Sequence, residues 1–394
     1  MKTFIGLLGQ EFKRIFSNNV LVAIFFGAPI LYGILFGYVY QQAKVLDLPI
    51  VVVDQDGSPT SDKIIDALGD TETLEIVSLR KSPEGLAQEM PGMGYAAVVT
   101  IPSNFEAELL QKRYPELHVD LNMGNILNAN FASKSIQTVL ATINAGVEIQ
   151  GLQKQGYSPE RAQQSYEPFK VNFNKLYNST GNYVTFMLPG LIAGIMQQVI
   201  FLAFALVFAR DFEDRYFSKL VGVSKSSFYH VFLKVAPFLL FIPIMWTIVG
   251  SFFPFFRVEV NVFNPAMLVL VILLSTAAMF IGMLFSILIP SQLKATELLM
   301  VISTPAFVLS GFTWPRSAMP AWVDSFAQVI PLTHFLEGFR KIGVYGGTLQ
   351  DAQQEINALA IITVVSLVLI LIFLQLKIRK QERMDAAEAG EAHS

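Results

Sequence analysis

Six stretches of this chain are apolar, free of Asp, Glu, Lys and Arg, and near the length that crosses a bilayer. They lie at residues 20–40, 183–209, 235–256, 265–289, 298–314 and 358–376. A helix needs about 20 apolar residues to cross the hydrocarbon core, and a charge placed mid-membrane costs about 2.5–3.5 kcal/mol on insertion scales. Six such stretches restrict the chain to an α-helical membrane protein with six transmembrane helices. The stretch at 298–314 is short and open to being broken or re-entrant. Composition agrees: 15% of the 394 residues are charged, against about 25% in soluble domains. A net charge of −3 excludes the basic surface that nucleic acid requires. With no Cys, disulfides, thiolate metal sites and a Cys nucleophile are excluded as well.

Lys and Arg in the short connecting segments set the orientation. With both termini inside, the inner segments hold Lys2, Lys13 and Arg14, then Arg210, Arg215, Lys219, Lys225 and Lys234, then Lys294, then Lys377, Arg379, Lys380 and Arg383. The short outer loops hold Arg257, Arg316, Arg340 and Lys341. This bias puts both termini in the cytoplasm and residues 41–182 outside. The first stretch is long enough to cross and no small-residue cleavage site follows it, so it reads as a retained span rather than a signal peptide. The expected organisation is an amphipathic interfacial helix at 1–19, a first span at 20–40, an extracytoplasmic α/β domain at 41–182, spans two to six within 183–376 and a cytoplasmic tail at 377–394. In 2–17, Phe4, Ile5, Leu8, Phe12, Ile15 and Phe16 recur at helical spacing, with Glu11, Lys13 and Arg14 largely off that stripe. Such a helix lies in the membrane interface, or else extends the first span into the cytoplasm.

Strand-like and helix-like runs alternate within 41–182, which is the pattern of a compact α/β domain. Strands are read at 49–54, 74–79, 95–101 and 117–123, and helices at 61–68, 83–90 and 128–153. Ser103-Asn104-Phe105-Glu106 has the capping-box pattern and opens a further helix to Gln111. Asp54-Gln55-Asp56-Gly57 resembles the start of a calcium loop, but Lys63 stands where the bidentate Glu belongs, so a turn is the better reading. The histidines at 118, 230, 334 and 393 are too dispersed for a metal site. Asn178-Ser179-Thr180 is a glycosylation sequon, meaningful only on a eukaryotic secretory route.

Residues 304–347 are the most specific stretch. Ser310-Gly311-Phe312 is followed by Pro315, then Met319-Pro320-Ala321-Trp322, then Pro331-Leu332-Thr333-His334 and Arg340. This order resembles the hallmark region of the type-two (type V) exporter-type ABC permeases. The resemblance reaches Val51-Val52-Val53-Asp54, Val98-Val99-Thr100-Ile101-Pro102 with Phe105-Glu106, and Pro189-Gly190-Leu191-Ile192, so nearly the whole chain is covered. It departs after the second span. Arg210, Asp211 and Glu213 fit the family's charged run, but Arg215 and Tyr216 stand where Gly-Thr is usual, and Val223-Ser224 lacks a Pro.

No G-x-x-x-x-G-K-[ST] loop is present in the sequence. The resemblance therefore implies a permease that is not itself an enzyme and has no cofactor of its own, ATP being bound by a separate subunit. The implied partners are that ATP-binding subunit, a second permease copy (the same chain or a close paralogue), membrane lipids and, where one exists, a periplasmic adaptor. The implied location is a bacterial cytoplasmic (inner) membrane. In the family the loop after the second span faces the ATPase, which marks Arg210, Asp211, Glu213, Arg215 and Lys219 as coupling residues. The second and fifth spans line the substrate path there, which marks Gln197, Gln198, Ser303, Thr304 and Ser310. Gln197 and Gln198 have a second reading, as hydrogen-bonding links between helices. Few polar groups on the path suit export of an amphipathic or apolar substrate. The alternative function is a non-transporting envelope receptor or surface-complex anchor that binds a partner through 41–182.

The orientation is directly testable, because the chain has no native Cys. An impermeant maleimide applied to intact cells with a leaky outer membrane should label Lys112→Cys and spare Lys225→Cys. The opposite labelling pattern would invert the topology.

Overall fold

The structure, a computed structural model, describes residues 2–41, 44–86, 94–166, 176–178 and 181–391. It comprises two compact units, one formed by residues 44–174 and the other by 1–43 with 175–394.

In the first unit, strands β1 (Leu48–Asp54), β2 (Leu74–Arg80), β3 (Ala97–Ile101) and β4 (His118–Leu121) form a sheet in the order β2-β1-β3-β4. β1 is parallel to β2 and β3, while β4 is antiparallel to β3. A parallel neighbour demands a crossover, supplied between β1 and β2 by the helix Pro59–Gly69. Strand β1 is buried on both faces, which explains its unbroken β-branched run. Ile50 and Val52 pack with Ile64, Leu68 and Ile136 on one side, and Val51 and Val53 pack with Leu86, Tyr95 and Val98 on the other.

The turn after β1 consumes both of its aspartates. Asp54 Oδ1 accepts from the N–H groups of Asp56 and Gly57, each at 3.0 Å, and its Oδ2 accepts from Ser61 Oγ at 3.0 Å. Asp56 Oδ2 accepts from Glu106 N–H at 3.1 Å. A capping box does form in this unit, but between Ser58 and Ser61. The one expected at Ser103–Glu106 does not: Asn104 takes the N-cap position in the left-handed region, with no side-chain cap bond. Glu106 accepts instead from Thr60 Oγ1 at 2.6 Å, so its carboxylate joins two helices rather than closing its own. Half of the helix read at 83–90, residues 87–90, lies outside the described residues, as do Ser179 and Thr180 of the sequon.

The second unit is helical. Among the described residues, five of its helical segments are long and apolar enough to cross a membrane: Tyr183–Glu213, Ser227–Phe255, Pro265–Leu288, Gln292–Leu309 and Gln353–Ala387. A shorter apolar helix, Ala23–Val39, continues from Asn19–Val22 through a π-helical stretch at Ala23–Gly27. Several helices outrun the uncharged stretches of the sequence. Ser227–Gly250 starts eight residues before 235 and so contains Lys234, and Gln292–Ser303 contains Lys294 and Glu297. Helical hydrogen bonding continues past the apolar limit because backbone groups pair along the helix whatever the side chains are. Pro305 has no N–H to give, and it divides Gln292–Ser303 from Ala306–Leu309.

Tyr183–Glu213 is the hub of this unit, with Leu188, Phe204, Ala205 and Phe208 fully buried. It meets Pro265–Leu288 at Gly282, where an added Cβ would stand 2.9 Å from the Phe201 carbonyl oxygen and 2.8 Å from Phe204 Cβ. A small residue lets the two backbones approach. Nearby, the Phe208 N–H donates to Ser286 Oγ at 2.9 Å inside the contact. The two helices must separate to admit a side chain at 282. Gly282→Leu should therefore cost about 1–3 kcal/mol by overpacking, read as a lower melting temperature of the detergent-purified chain. An unchanged melting temperature would show that the crossing opens freely.

Candidate functional site

A groove of about 440 Å³ runs beside Tyr183–Glu213, walled by residues of Ala23–Val39 and Gln292–Leu309. Its walls are mostly apolar: Ile24, Phe36, Leu191, Ile195, Leu202 and Phe307 all contribute. Four side chains bring polar groups to it, those of Tyr32, Gln198, Ser303 and Thr304. Both aliphatic hydroxyls turn back on their own helix, Ser303 Oγ to the Met300 carbonyl at 3.4 Å and Thr304 Oγ1 to the same oxygen at 2.7 Å. Gln198 and Tyr32 make no hydrogen bond among the described residues, so the amide and the phenol are the groups left to meet a guest. The π-helical stretch Ala23–Gly27 carries Ile24 into the wall. Such bulges widen a helix locally and recur at functional positions.

Towards the Glu213 end of the same hub helix lies a buried cluster of four charges. Asp211, fully buried, stands 2.6 Å from Arg14 Nη1 and 2.6 Å from Lys234 Nζ. Lys234 also reaches Glu11 Oε1 at 2.8 Å, and Arg14 lies 3.6 Å from that oxygen. Two cations and two carboxylates balance, so no net charge is buried. Burial works against the Arg14 charge, and Asp211, then Glu11, more than offset it, so its pKa is raised above the ordinary value. Arg14 also lies 4.3 Å from the Tyr216 ring centroid. Burial first, and then Glu11, push the Tyr216 phenol up. Together these contacts pin the helix Lys2–Phe16 onto the ends of two long helices. That helix buries Ile15 together with Glu11, while Ile5 and Phe16 are exposed.

The loop after the hub helix is built around Tyr216–Val223. Arg215 starts it with φ +57°, a conformation that favours Gly and strains other residues. The sequence departs from the family pattern at this position, yet the backbone keeps the turn that Gly would make easily. Glu213 accepts hydrogen bonds from both the backbone N–H and the side-chain amide of Gln292, so it caps the start of Gln292–Ser303. His230 and Gln375 hold the far side of the loop: His230 Nε2 lies 2.7 Å from the Ser224 carbonyl, and the Gln375 amide donates to the Lys225 carbonyl at 3.2 Å.

The hallmark residues mostly serve architecture. Thr333 Oγ1 donates to the Ala327 carbonyl at 2.7 Å, and His334 Nε2 lies 2.8 Å from the Gln328 carbonyl. Both satisfy carbonyls at the end of the short helix Ala321–Ala327. Gly311 has φ +81°, and Arg316 packs against the place its side chain would occupy. Arg316 Nε donates to Asp324 at 2.6 Å, which holds that carboxyl below the usual range.

The model of the ABC-2 family transporter proteins matches residues 20–372. The chain belongs to that family. It is similar to the probable multidrug ABC transporter permease YbhR of Escherichia coli, at 22% identity over 91% of this chain and 94% of that protein. It is similar to the linearmycin resistance permease protein LnrN of Bacillus subtilis, at 24% identity over 89% and 94%. The ABC transporter G family member 20 of Dictyostelium discoideum is 23% identical over 93% of this chain and 49% of its own length. This ABC-2 permease is thus the multi-pass membrane component of an ABC transporter, a family membership that implies work with an ATP-binding subunit.

The candidate residues of the permease fall in different places. Of the path residues, the groove collects Gln198, Ser303 and Thr304. Gln197 does not line it: its Oε1 accepts from the Leu332 N–H at 2.8 Å in a buried helix-to-helix bond. Ser310 is also outside the groove, bonding the Phe307 carbonyl at 2.6 Å within a turn. Of the coupling residues, Glu213, Arg215 and Lys219 are exposed, while Arg210 is half-buried, donating to the Arg14 carbonyl at 3.2 Å. Asp211 is fully buried and is not on that surface. Glu11 and Lys234 carry no site signal in the sequence, because each sits beside an apolar run and reads as its flank.

Removing one member of a balanced buried cluster exposes the others to an uncompensated charge. Lys234→Met should destabilise the permease by about 3–5 kcal/mol, with faster proteolysis at the N-terminal helix. Lys234→Met combined with Asp211→Asn should cost less than the single change. Equal costs would mean that the four charges do not act as a unit.

Proposed function

We propose that the chain is the permease of an ATP-driven exporter that moves an amphipathic or apolar substrate from the cytoplasm or inner leaflet outwards. In this reading Asn19–Val22 and Ala23–Val39 together form the first of six spans, both termini are cytoplasmic, and the unit 44–174 stands outside. Two permease copies assemble in a bacterial inner membrane, each with its own ATPase subunit docked below the loop of Glu213, Arg215 and Lys219. Two relatives are named for multidrug transport and for linearmycin resistance, which supports an efflux role.

The observation that carries the proposal is the groove. Its apolar walls, with one amide and one phenol unbonded, favour a guest that is greasy along most of its length and offers few polar groups. An ion or a free sugar would lose its hydration there without enough partners to replace it. The hub helix links this groove to the loop. Gln198 and Asp211 are about 20 Å apart along the axis at 1.5 Å per residue.

Gln198→Leu should change which substrates stimulate ATP hydrolysis by the reconstituted complex, with the amount of assembled complex unchanged. Normal substrate preference together with weakened assembly would instead make Gln198 a link between helices and remove the groove from the path. A complex that recruits no ATPase at all would overturn the transport reading itself.

A further inference from the structure

Three cations lie within residues 316–341 at the far end of the hub helix from the charge cluster. Two are neutralised: Arg316 by Asp324 at 2.6 Å and Glu337 at 3.3 Å, and Lys341 by Glu355 at 2.7 Å. The third, Arg340, has no carboxylate partner among the described residues. Its guanidinium lies 5.2 Å from the Phe312 ring centroid, and its one hydrogen bond, to the Phe312 carbonyl, is long at 3.4 Å. Among the described residues, most of its donors are therefore unused.

Arg340 opens into a cavity of about 470 Å³, within the usual range for a small-molecule site. The other walls are chiefly apolar and aromatic, among them Phe186, Pro189, Pro315 and Tyr345. The chain changes geometry here: the α-helix Pro331–Phe339 gives way to a π-helical turn at Arg340–Val344. That wider turn places Arg340 and Val344 in the wall together. The depth in the membrane follows from Trp314 and Trp322, which are 57% and 77% exposed nearby in the chain. Exposed Trp residues concentrate at the level of lipid head groups.

A planar guanidinium with free donors selects a phosphate oxyanion geometrically, and aromatic walls select hydrocarbon. We infer that this cavity binds a phosphate-headed amphiphile, with the phosphate on Arg340 and the first part of the chain against Phe186, Phe312 and Tyr345. The site is separate from the Gln198 groove, and the inference does not depend on that groove carrying substrate.

The test uses the full chain in an uncharged maltoside detergent, with a fluorescent short-chain phosphatidylglycerol as probe. Arg340→Gln should weaken probe binding at least about ten-fold, as expected for loss of a charge-assisted contact. Thr185→Phe, which leaves Arg340 in place and fills the cavity, should weaken it similarly. If Arg340→Gln does not fold, the Thr185→Phe result decides. Unlabelled phosphatidylglycerol should displace the probe, while diacylglycerol or inorganic phosphate at equal concentration should not. Displacement by diacylglycerol would show that the charge is irrelevant. Displacement by inorganic phosphate would mark a free-anion site with no use for the chain. Either result, or full binding by folded variants, overturns the proposal.

Discussion

Asp211 is a carboxylate with no access to water, and much of the permease is arranged to make that tolerable. An isolated buried charge costs several kcal/mol even after relaxation, so two cations have to be brought to it from different parts of the sequence. Lys234 comes from the next long helix and Arg14 from the N-terminal helix, and Glu11 then balances the second cation. The consequence is geometric. The ends of Tyr183–Glu213 and Ser227–Gly250 cannot separate from each other, or from Lys2–Phe16, without stranding a charge. A cluster of this kind contributes little to net stability compared with apolar packing of the same volume. What it specifies is register, because only one relative placement of the three helices satisfies all four groups.

Legibility in the sequence followed the physics of each element. Helices in lipid must satisfy their own backbone, so an uncharged apolar run is nearly sufficient to locate one, and each run of the sequence overlaps an apolar helix. Their ends were less legible. The helices continue through Lys234, Asp211 and Glu297, whose charges are met by neighbours or lie beyond the apolar core, and no periodicity in one segment reports a partner in another. The same limit applies to Glu106. Its local pattern, three residues after a Ser, reads as a capping box, but the carboxylate is taken by Thr60, distant in sequence. By contrast β1 was legible as a strand, because its run of β-branched residues suits a strand and is stopped by a turn cluster.

Gln197 and Gln198 show how far a one-dimensional reading reaches. Adjacent residues on a helix point about 100° apart, so two neighbouring amides almost never share an environment. One is locked onto the Leu332 N–H, which begins a helix just after Pro331 and lacks an intrahelical acceptor. The other is left facing the groove. Composition identifies both as unusual in a span, and only the packing of the Pro331–Phe339 helix decides which is structural.

The two ends of the hub helix handle charge in opposite ways, and the difference bears on motion. At the cluster every charge is paired, so displacement of the Tyr216–Val223 loop passes into Asp211 and on to the N-terminal helix with little slack. At the other end the hallmark turns are fastened by neutral bonds from Thr333 and His334 to backbone carbonyls, while Arg340 is held by one long bond and a ring face. Pro189 interrupts the hydrogen-bond ladder of the hub helix on that side. Stiffness therefore decreases along the helix from the charged cluster towards Arg340. A push delivered at the loop reaches Gln198 through an unbroken helix, whereas beyond Pro189 the chain has room to yield, beside the cavity where Arg340 keeps its donors free.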